Sequence, residues 1–222
     1  MSVQDKDNQA FVVQDCALAA IATGQRAHNL RELRDKLLEI DSGSIYYHFW
    51  GGLLRPRFDD PEYHNDFAIW ARYGLEDAIL AERLGVIDPT DFVETESLRE
   101  QVVAVTEERL DESEQIPAAK PDNPFYFVRS QIVVFDTHAR IEYPEELVDA
   151  IPFMSVGSIF FHFVDARRRA PTGEDDFRPW LRTCFQGFED LCEILGKVDP
   201  FFSGLTALRK RLAGVFSSYF GK

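Results

Sequence analysis

Basic residues, cysteines and long apolar runs are all scarce in this sequence. Only 24 Lys and Arg stand against 38 Asp and Glu in 222 residues, which gives a formal net charge of −14. Because nucleic-acid binding depends on Lys and Arg that neutralise phosphates, this balance argues against nucleic acid as a partner. No apolar run approaches the roughly 18–20 residues of a membrane-spanning helix, and the start of the chain is polar and acidic, unlike a signal peptide. We therefore expect a cytoplasmic protein that binds neither nucleic acid nor membrane.

The few cysteines do not form a recognisable site. Cys16, Cys184 and Cys192 lack the paired spacings of a zinc site, and the last two lie in an apolar periodic stretch. We expect buried thiols, since free cysteine behaves as a small apolar residue. A Gly-rich phosphate loop and a Ser-centred nucleophile motif are also missing from the sequence. The sequence accordingly predicts no cofactor and no metal.

What the sequence does contain is an internal repeat. Residues 44–49 read Ser-Ile-Tyr-Tyr-His-Phe, and residues 158–163 read Ser-Ile-Phe-Phe-His-Phe, an offset of 114. Further landmarks recur in the same order: Phe11 and Phe125, Glu32-Leu33 and Glu146-Leu147, Asp66-Phe67 and Asp176-Phe177, Trp70 and Trp180, Asp88-Pro89 and Asp199-Pro200, Leu98-Arg99 and Leu208-Arg209. This order predicts a tandem duplication.

The repeat sets the expected domain limits. The first repeat covers residues 1–112, with 11 basic and 23 acidic side chains, and the second covers 125–222. Residues 113–124 are polar and contain three prolines, which is typical of a linker. We expect the copies to pack about a pseudo-twofold axis, as identical subunits do in a dimer. Their surfaces differ because the first repeat carries almost all of the negative charge.

Both repeats predict a mainly α fold with a minor β element. An apolar strand opens each repeat, clearly so at residues 125–135, whereas the alanines of residues 17–22 weaken the prediction in the first. Asn29 and Glu32 form a capping box, and Pro144 suits a first helical turn. Further helices are expected near residues 98–110 and 205–220.

Short helices that carry the aromatic-His segments follow in each repeat. Ser44 and Ser158 are predicted as their caps. One long helix then begins at Asp66 in the first repeat and at Asp176 in the second, with apolar residues on a single face.

The segments 23–33, 44–49, 65–70 and 80–84 together resemble an uncharacterised prokaryotic domain-of-unknown-function family. The resemblance covers nearly the whole chain, with an aromatic-His segment followed by Asp-Phe-x-x-Trp in each helical unit. The second unit departs from the pattern at Asp175, where the first has Asn65. The resemblance implies a fold and no established activity.

Two histidines occupy equivalent places in the repeats. His48 and His162 each follow aromatic residues, and a twofold arrangement could unite them as a paired imidazole site for a metal or an anion. The structural alternative is that each buried ring hydrogen-bonds the start of its own long helix, at the carboxylate of Asp66 or Asp176.

A polar triplet and a pair of arginines complete the candidate residues. The triplet is His64-Asn65-Asp66. Histidine and carboxylate residues close together in sequence hold ions that activate water in metal phosphohydrolases. The alternative is that Asp66 caps a helix. Arg55 and Arg57 could clamp a phosphate or carboxylate, or pair with nearby acidic residues. Residues 167–169 place three arginines in the equivalent loop of the second repeat.

These patterns predict a non-enzymatic binding or accessory module for a protein partner or a small anionic ligand. The candidate ligand-binding residues are His48, Arg55, Arg57, His64, Asn65, Asp66 and His162. The alternative is a hydrolase or transferase that acts on a phosphorylated or sugar-like substrate through the His, Asp and Arg cluster.

Overall fold

The structure, a computed structural model, describes residues 10–54, 62–201 and 204–221. It confirms a mainly helical protein with a small antiparallel sheet of two strands, β1 (Phe11–Ala27) and β2 (Phe125–Ile141). None of the described helices is long and apolar enough to cross a membrane.

The chain forms two compact units. The central unit comprises Leu18–Ile132, and the terminal unit comprises the described residues up to Ala17 together with those from Val133 onward. Each strand therefore contributes one part to each unit. The side-chain hydroxyls of Thr23 and Thr137 donate to the carbonyls of Phe127 and Val13, which fixes the register of the two strands within each unit.

The central unit adds five α-helices among its described residues. They are α1 (Leu30–Glu39), α2 (Ser42–Trp50), α3 (Asp66–Tyr73), α4 (Ala78–Gly85) and α5 (Thr95–Glu112), with 3₁₀ turns at Gly51–Leu54 and Pro89–Asp91. The predicted cap of α1 is confirmed, because the Asn29 side chain accepts from the Glu32 amide. The Glu32 carboxylate accepts in return from the amide of His28, one residue before the cap, and not from the Asn29 amide of a standard capping box. Residues 113–124 contain no helix, and the carbonyl of Pro117 accepts from Leu30.

The described part of the terminal unit is also helical after β2. Its α-helices are α6 (Leu147–Ala150), α7 (Val156–Ile159), α8 (Ala166–Arg169), α9 (Phe177–Cys184), α10 (Glu189–Gly196) and α11 (Leu205–Phe220). A π-helical section, Phe160–Asp165, joins α7 to α8, and 3₁₀ turns lie at Pro144–Glu146 and Ile151–Phe153. Pro144 occupies the first turn of its helix, as predicted.

The single long helix predicted from Asp66 is wrong. The chain turns between α3 and α4, where the Trp70 carbonyl accepts from both Gly74 and Leu75 and Asp77 caps the next helix. A side chain at Gly74 would overlap the Trp70 ring, so glycine there lets the turn close against the indole. The second long helix is likewise divided, into α9 and α10.

The predicted helix caps at Ser44 and Ser158 are also wrong. Asp41 caps α2, and Ser155 caps α7. Ser44 lies one turn further on and donates its hydroxyl to the Val128 carbonyl. A buried hydroxyl needs a hydrogen-bond partner, and Ser44 finds it in the Val128 carbonyl. The Ser44 side chain is therefore not used to cap the helix.

The largest fully buried side chains of both units are phenylalanines. The fully buried rings are Phe49, Phe67 and Phe127 in the central unit, and Phe160, Phe163, Phe177, Phe201 and Phe216 in the terminal unit. In each unit the core lies between the helices and one strand segment.

Candidate functional site

His48 lies on α2 with its ring 3% exposed. Its Nε2 accepts a hydrogen bond from the Val128 backbone amide at 3.1 Å, so Nδ1 carries the proton and donates to Asp66 Oδ2 at 2.9 Å. Both ring nitrogens are therefore used inside the central unit. The ring ties α2 to the start of α3 and to strand β2.

His162 makes the same pair of contacts in the terminal unit. Its ring is also 3% exposed, Nε2 accepts from the Gln14 amide at 2.9 Å, and Nδ1 donates to Asp176 Oδ2 at 2.8 Å. The structural interpretation of the two histidines, a bond to the carboxylate of Asp66 or Asp176 at the start of a helix in the same repeat, is confirmed at both positions. Each histidine has its own carboxylate and its own strand amide.

Asn65, rather than Asp66, caps α3. The Asn65 side chain is fully buried, accepts from the Ala68 amide at 2.9 Å and donates to the Leu84 carbonyl at 2.9 Å. It thus fixes the start of α3 and the end of α4 together. Asp66, which the sequence suggested as the cap, is the first residue of the helix and serves His48 instead.

Asp175 has the capping role in the terminal unit. Its Oδ1 accepts from the amides of Phe177 and Arg178, and its Oδ2 pairs with the Arg178 guanidinium at 2.6 Å. The departure from the family pattern at this position therefore preserves the cap, because both side chains present an acceptor oxygen to the first turn. Asp175 lacks the side-chain N–H donor of Asn65, and its second carboxylate oxygen is paired with the Arg178 guanidinium instead.

Three of the predicted ligand-binding residues remain, namely His64, Arg55 and Arg57. His64 is half-buried beside the Asn65 cap. Arg55 and Arg57 lie outside the described residues. Among the residues that the structure describes, no group of three or more His, Cys, Asp or Glu side chains is arranged to hold a metal ion.

The arginines of residues 167–169 act within the terminal unit. Arg169 donates to Asp165 Oδ2 at 2.8 Å and to Asp176 Oδ2 at 3.0 Å, and its guanidinium lies 3.9 Å from the Phe161 ring centroid. Arg168 also pairs with Asp165, whose side chain is 1% exposed. Two guanidinium groups thus compensate a buried carboxylate, which would otherwise be costly. The expected pairing with nearby acids is confirmed for Arg168 and Arg169, whereas Arg167 donates to the Val198 carbonyl. The predicted loop position of residues 167–169 is wrong, because they form helix α8.

A groove in the terminal unit was not predicted. It has a volume of about 500 Å³ and lies between α9 and α10, lined by Arg178, Arg182, Glu189, Cys192, Glu193, Gly196 and Lys197. Arg178 and Arg182 pair with Glu174, and Lys197 pairs with Glu193. Burial raises the pKa of the Cys192 thiol, so the thiol stays protonated at neutral pH. Only the division of the predicted long helix into α9 and α10 creates this groove, which is why sequence periodicity missed it.

Comparison with known proteins identifies the family. A family model described as a family of unknown function, DUF5752, matches residues 8–217. The chain belongs to this family. The resemblance predicted from the aromatic-His and Asp-Phe-x-x-Trp segments is thereby confirmed.

One solved structure is similar over nearly the whole length. OrfY from Thermoproteus tenax matches with a TM-score of 0.82 and 27% sequence identity, covering 96% of each chain. No curated protein matches the sequence. The comparisons therefore support the fold and the family and name no activity.

Proposed function

We propose that this protein is a non-enzymatic binding or accessory module that acts on a protein partner. The observation that carries the proposal is the use of His48 and His162. Both nitrogens of each ring are bonded to protein groups of the same unit, a backbone amide on one side and a carboxylate on the other. Residues committed in this way stabilise a scaffold.

The competing function, a hydrolase or transferase, would require the same residues to break their present hydrogen bonds. A general base must reach a substrate proton within about 2.6–3.2 Å. For His48 this would require Nε2 to release the Val128 amide, leaving a part-buried donor unpaired. The amide of Asn65 is committed on both its oxygen and its nitrogen. These contacts favour the binding module.

A protein partner is also better supported than a small anion. The groove between α9 and α10 offers three cationic side chains, but each is already paired with a carboxylate of the same unit. An anion would have to displace those carboxylates. The first 112 residues carry a net charge of −12, and a surface of one sign steers a complementary, basic partner. We place the protein in the cytoplasm.

We also infer that the chain is a tandem duplication, with repeats at 1–112 and 125–222. Support comes from contacts that recur between equivalent residues: the His48–Asp66 bond of the first repeat corresponds to the His162–Asp176 bond of the second, with the histidines offset by 114 residues and the aspartates by 110. Both strands also contain a residue with positive φ at equivalent places, Gly24 and His138. Packing of the repeats about a pseudo-twofold axis stays a prediction.

The test combines a partner search with a ligand screen. We expect a basic protein from an extract of the source cells to be retained by the wild-type chain at low salt and released at high salt. The variant E100K/E108K, which reverses two exposed charges on α5, should lose it. No shift in melting temperature is expected with phosphate, sugar phosphates or nucleotides. Turnover of a phosphorylated or glycosidic substrate that His48→Leu abolishes without unfolding the protein would overturn the proposal in favour of an enzyme.

A further inference from the structure

In each unit, the helices come from one half of the sequence and the strand segment that covers them comes from the other half. The helices of the central unit come from residues 30–112, yet the segment that covers them, residues 125–128, follows the linker. The helices of the terminal unit come from residues 147–220, and the segment that covers them, residues 11–14, lies near the N-terminus. We call residues 11–14 and 125–128 the aromatic segments. Each half of the sequence thus supplies one aromatic segment to the helices of the other half.

The aromatic segment 125–128 is held by three rings of the central unit. Phe125 stacks on Phe67 with centroids 5.1 Å apart and an interplanar angle of 18°, and lies 4.7 Å from the His48 ring at 52°. Trp70 meets Phe125 edge-on at 5.6 Å. Phe127 is 1% exposed. The Val128 amide then donates to His48, as described above.

The aromatic segment 11–14 is held in the same way in the terminal unit. Phe11 stacks on Phe177 with centroids 5.0 Å apart at 17°, lies 4.7 Å from the His162 ring at 51°, and meets Trp180 edge-on at 5.4 Å. Val13 is 5% exposed. The Gln14 amide completes the set by donating to His162.

The two sets of contacts define one kind of binding site, which holds the same types of group at the same positions of the bound segment. We call the ring sets His48, Phe67, Trp70 and His162, Phe177, Trp180 the strand receptors. Each receptor accepts phenylalanine at the first position, a buried apolar side chain at the third, and a backbone amide at the fourth. Main-chain hydrogen bonds with pockets for alternate side chains are the general mode by which an extended peptide is recognised.

We propose that the two halves of the sequence bind each other through these receptors, so that the covalent linker 113–124 is not needed to keep them together. The partner of each receptor is the aromatic segment of the other half. The arrangement resembles domain swapping, in which subunits exchange an identical element, but here two equivalent segments of different sequence are exchanged within one chain. All of the contacts invoked lie inside one unit or the other, and the inference does not depend on the proposed function.

The experiment cuts the linker of the folded 222-residue chain. A protease recognition sequence is inserted between Glu114 and Gln115, where both residues are exposed. This place leaves intact the bonds of Pro117 and Ala119 to the start of α1. After cleavage we expect one complex of both fragments by size exclusion and native mass spectrometry at 1 µM, and a melting temperature that now depends on protein concentration. Separation of the wild-type fragments at 1 µM would overturn the proposal.

Substitutions distinguish the receptors from simple pairing of β1 with β2. In the cleaved protein, F11A/F125A should raise the dissociation constant of the fragments at least 100-fold. The matched control, Tyr126→Ala, removes a ring that is 59% exposed from the same segment and should leave the dissociation constant unchanged. Equal dissociation constants for F11A/F125A and Y126A would show that strand pairing alone joins the fragments. That result would refute binding through the strand receptors.

A milder pair of substitutions covers the case in which F11A/F125A does not fold before cleavage. F11L/F125L keeps apolar bulk in both receptors and removes only the ring stacking. We expect it to fold and, once cleaved, to raise the dissociation constant by about tenfold or more. A dissociation constant equal to that of the wild type would count against recognition of the ring.

Discussion

Replacing His48 by leucine tests whether the histidine holds strand β2 to the helices. Leucine is close to histidine in volume and keeps apolar packing, but it can neither accept from the Val128 amide nor donate to Asp66. His48→Gln is the informative companion, because its amide can place an acceptor near the position of Nε2. The two variants therefore separate the strand contact from the carboxylate contact.

The size of the effect follows from the burial of the two partners. Leaving the part-buried Val128 amide without its acceptor costs about 1–3 kcal/mol. Asp66 is 21% exposed on its side chain, so water replaces much of the lost bond and that loss is only about 0.5–1 kcal/mol. We expect His48→Leu to lower the free energy of unfolding by about 1.5–4 kcal/mol, and His48→Gln by about half as much.

Urea unfolding of the three proteins measures these differences, and hydrogen exchange of the Val128 amide reports on the strand contact directly. Protection of that amide should fall in His48→Leu and persist in His48→Gln. His162→Leu should reproduce the result at the Gln14 amide, since its two distances are nearly the same. The reasoning fails if His48→Leu lies within 0.5 kcal/mol of the wild type, or if His48→Gln is the more damaging change.

Two further predictions concern cysteine and glycine. Burial raises the pKa of the Cys16 thiol to about 12, so we expect iodoacetamide at pH 8 to spare it and to reach the less buried Cys184, as read by mass spectrometry of the folded protein; rapid labelling of Cys16 would contradict this. Because the folded state favours the protonated thiol, its contribution to stability is complete below the ordinary thiol pKa and declines as the pH rises toward 12. Gly157→Ala should lower the melting temperature, since a Cβ there would overlap Asp15 Oδ1 and the Cys16 carbonyl. Gly214→Ala, in open space on α11, should instead stabilise the protein by about 0.5–1 kcal/mol, and equal effects of the two changes would refute the argument.

Local sequence signals predicted several elements of the fold well. The cap of α1, the proline in the first turn after β2 and the terminal helix α11 all follow from bonds and dihedral preferences within a few residues. β1 extends through the alanine-rich stretch 17–22, because pairing with β2 outweighs the weak strand preference of alanine there.

The candidate site was only partly predictable. The bond of each histidine to Asp66 or Asp176 was one of the two interpretations that the sequence offered, since a buried ring needs a hydrogen-bond partner. The capping role of Asn65 was assigned to its neighbour, because either side chain suits a cap. Only the packed structure shows that Asn65 also reaches the Leu84 carbonyl.

The sequence by itself determined the helical character, the repeated aromatic-His pattern and the family. Tertiary structure alone decided which strand each of the two histidines holds. His48 meets an amide 80 residues away, and His162 meets one 148 residues away in the opposite direction along the chain. Short-range preferences cannot specify such contacts. They arise because each set of buried rings is completed by an aromatic strand segment, and the nearest segment in sequence is not the one that the folded unit brings into contact with it.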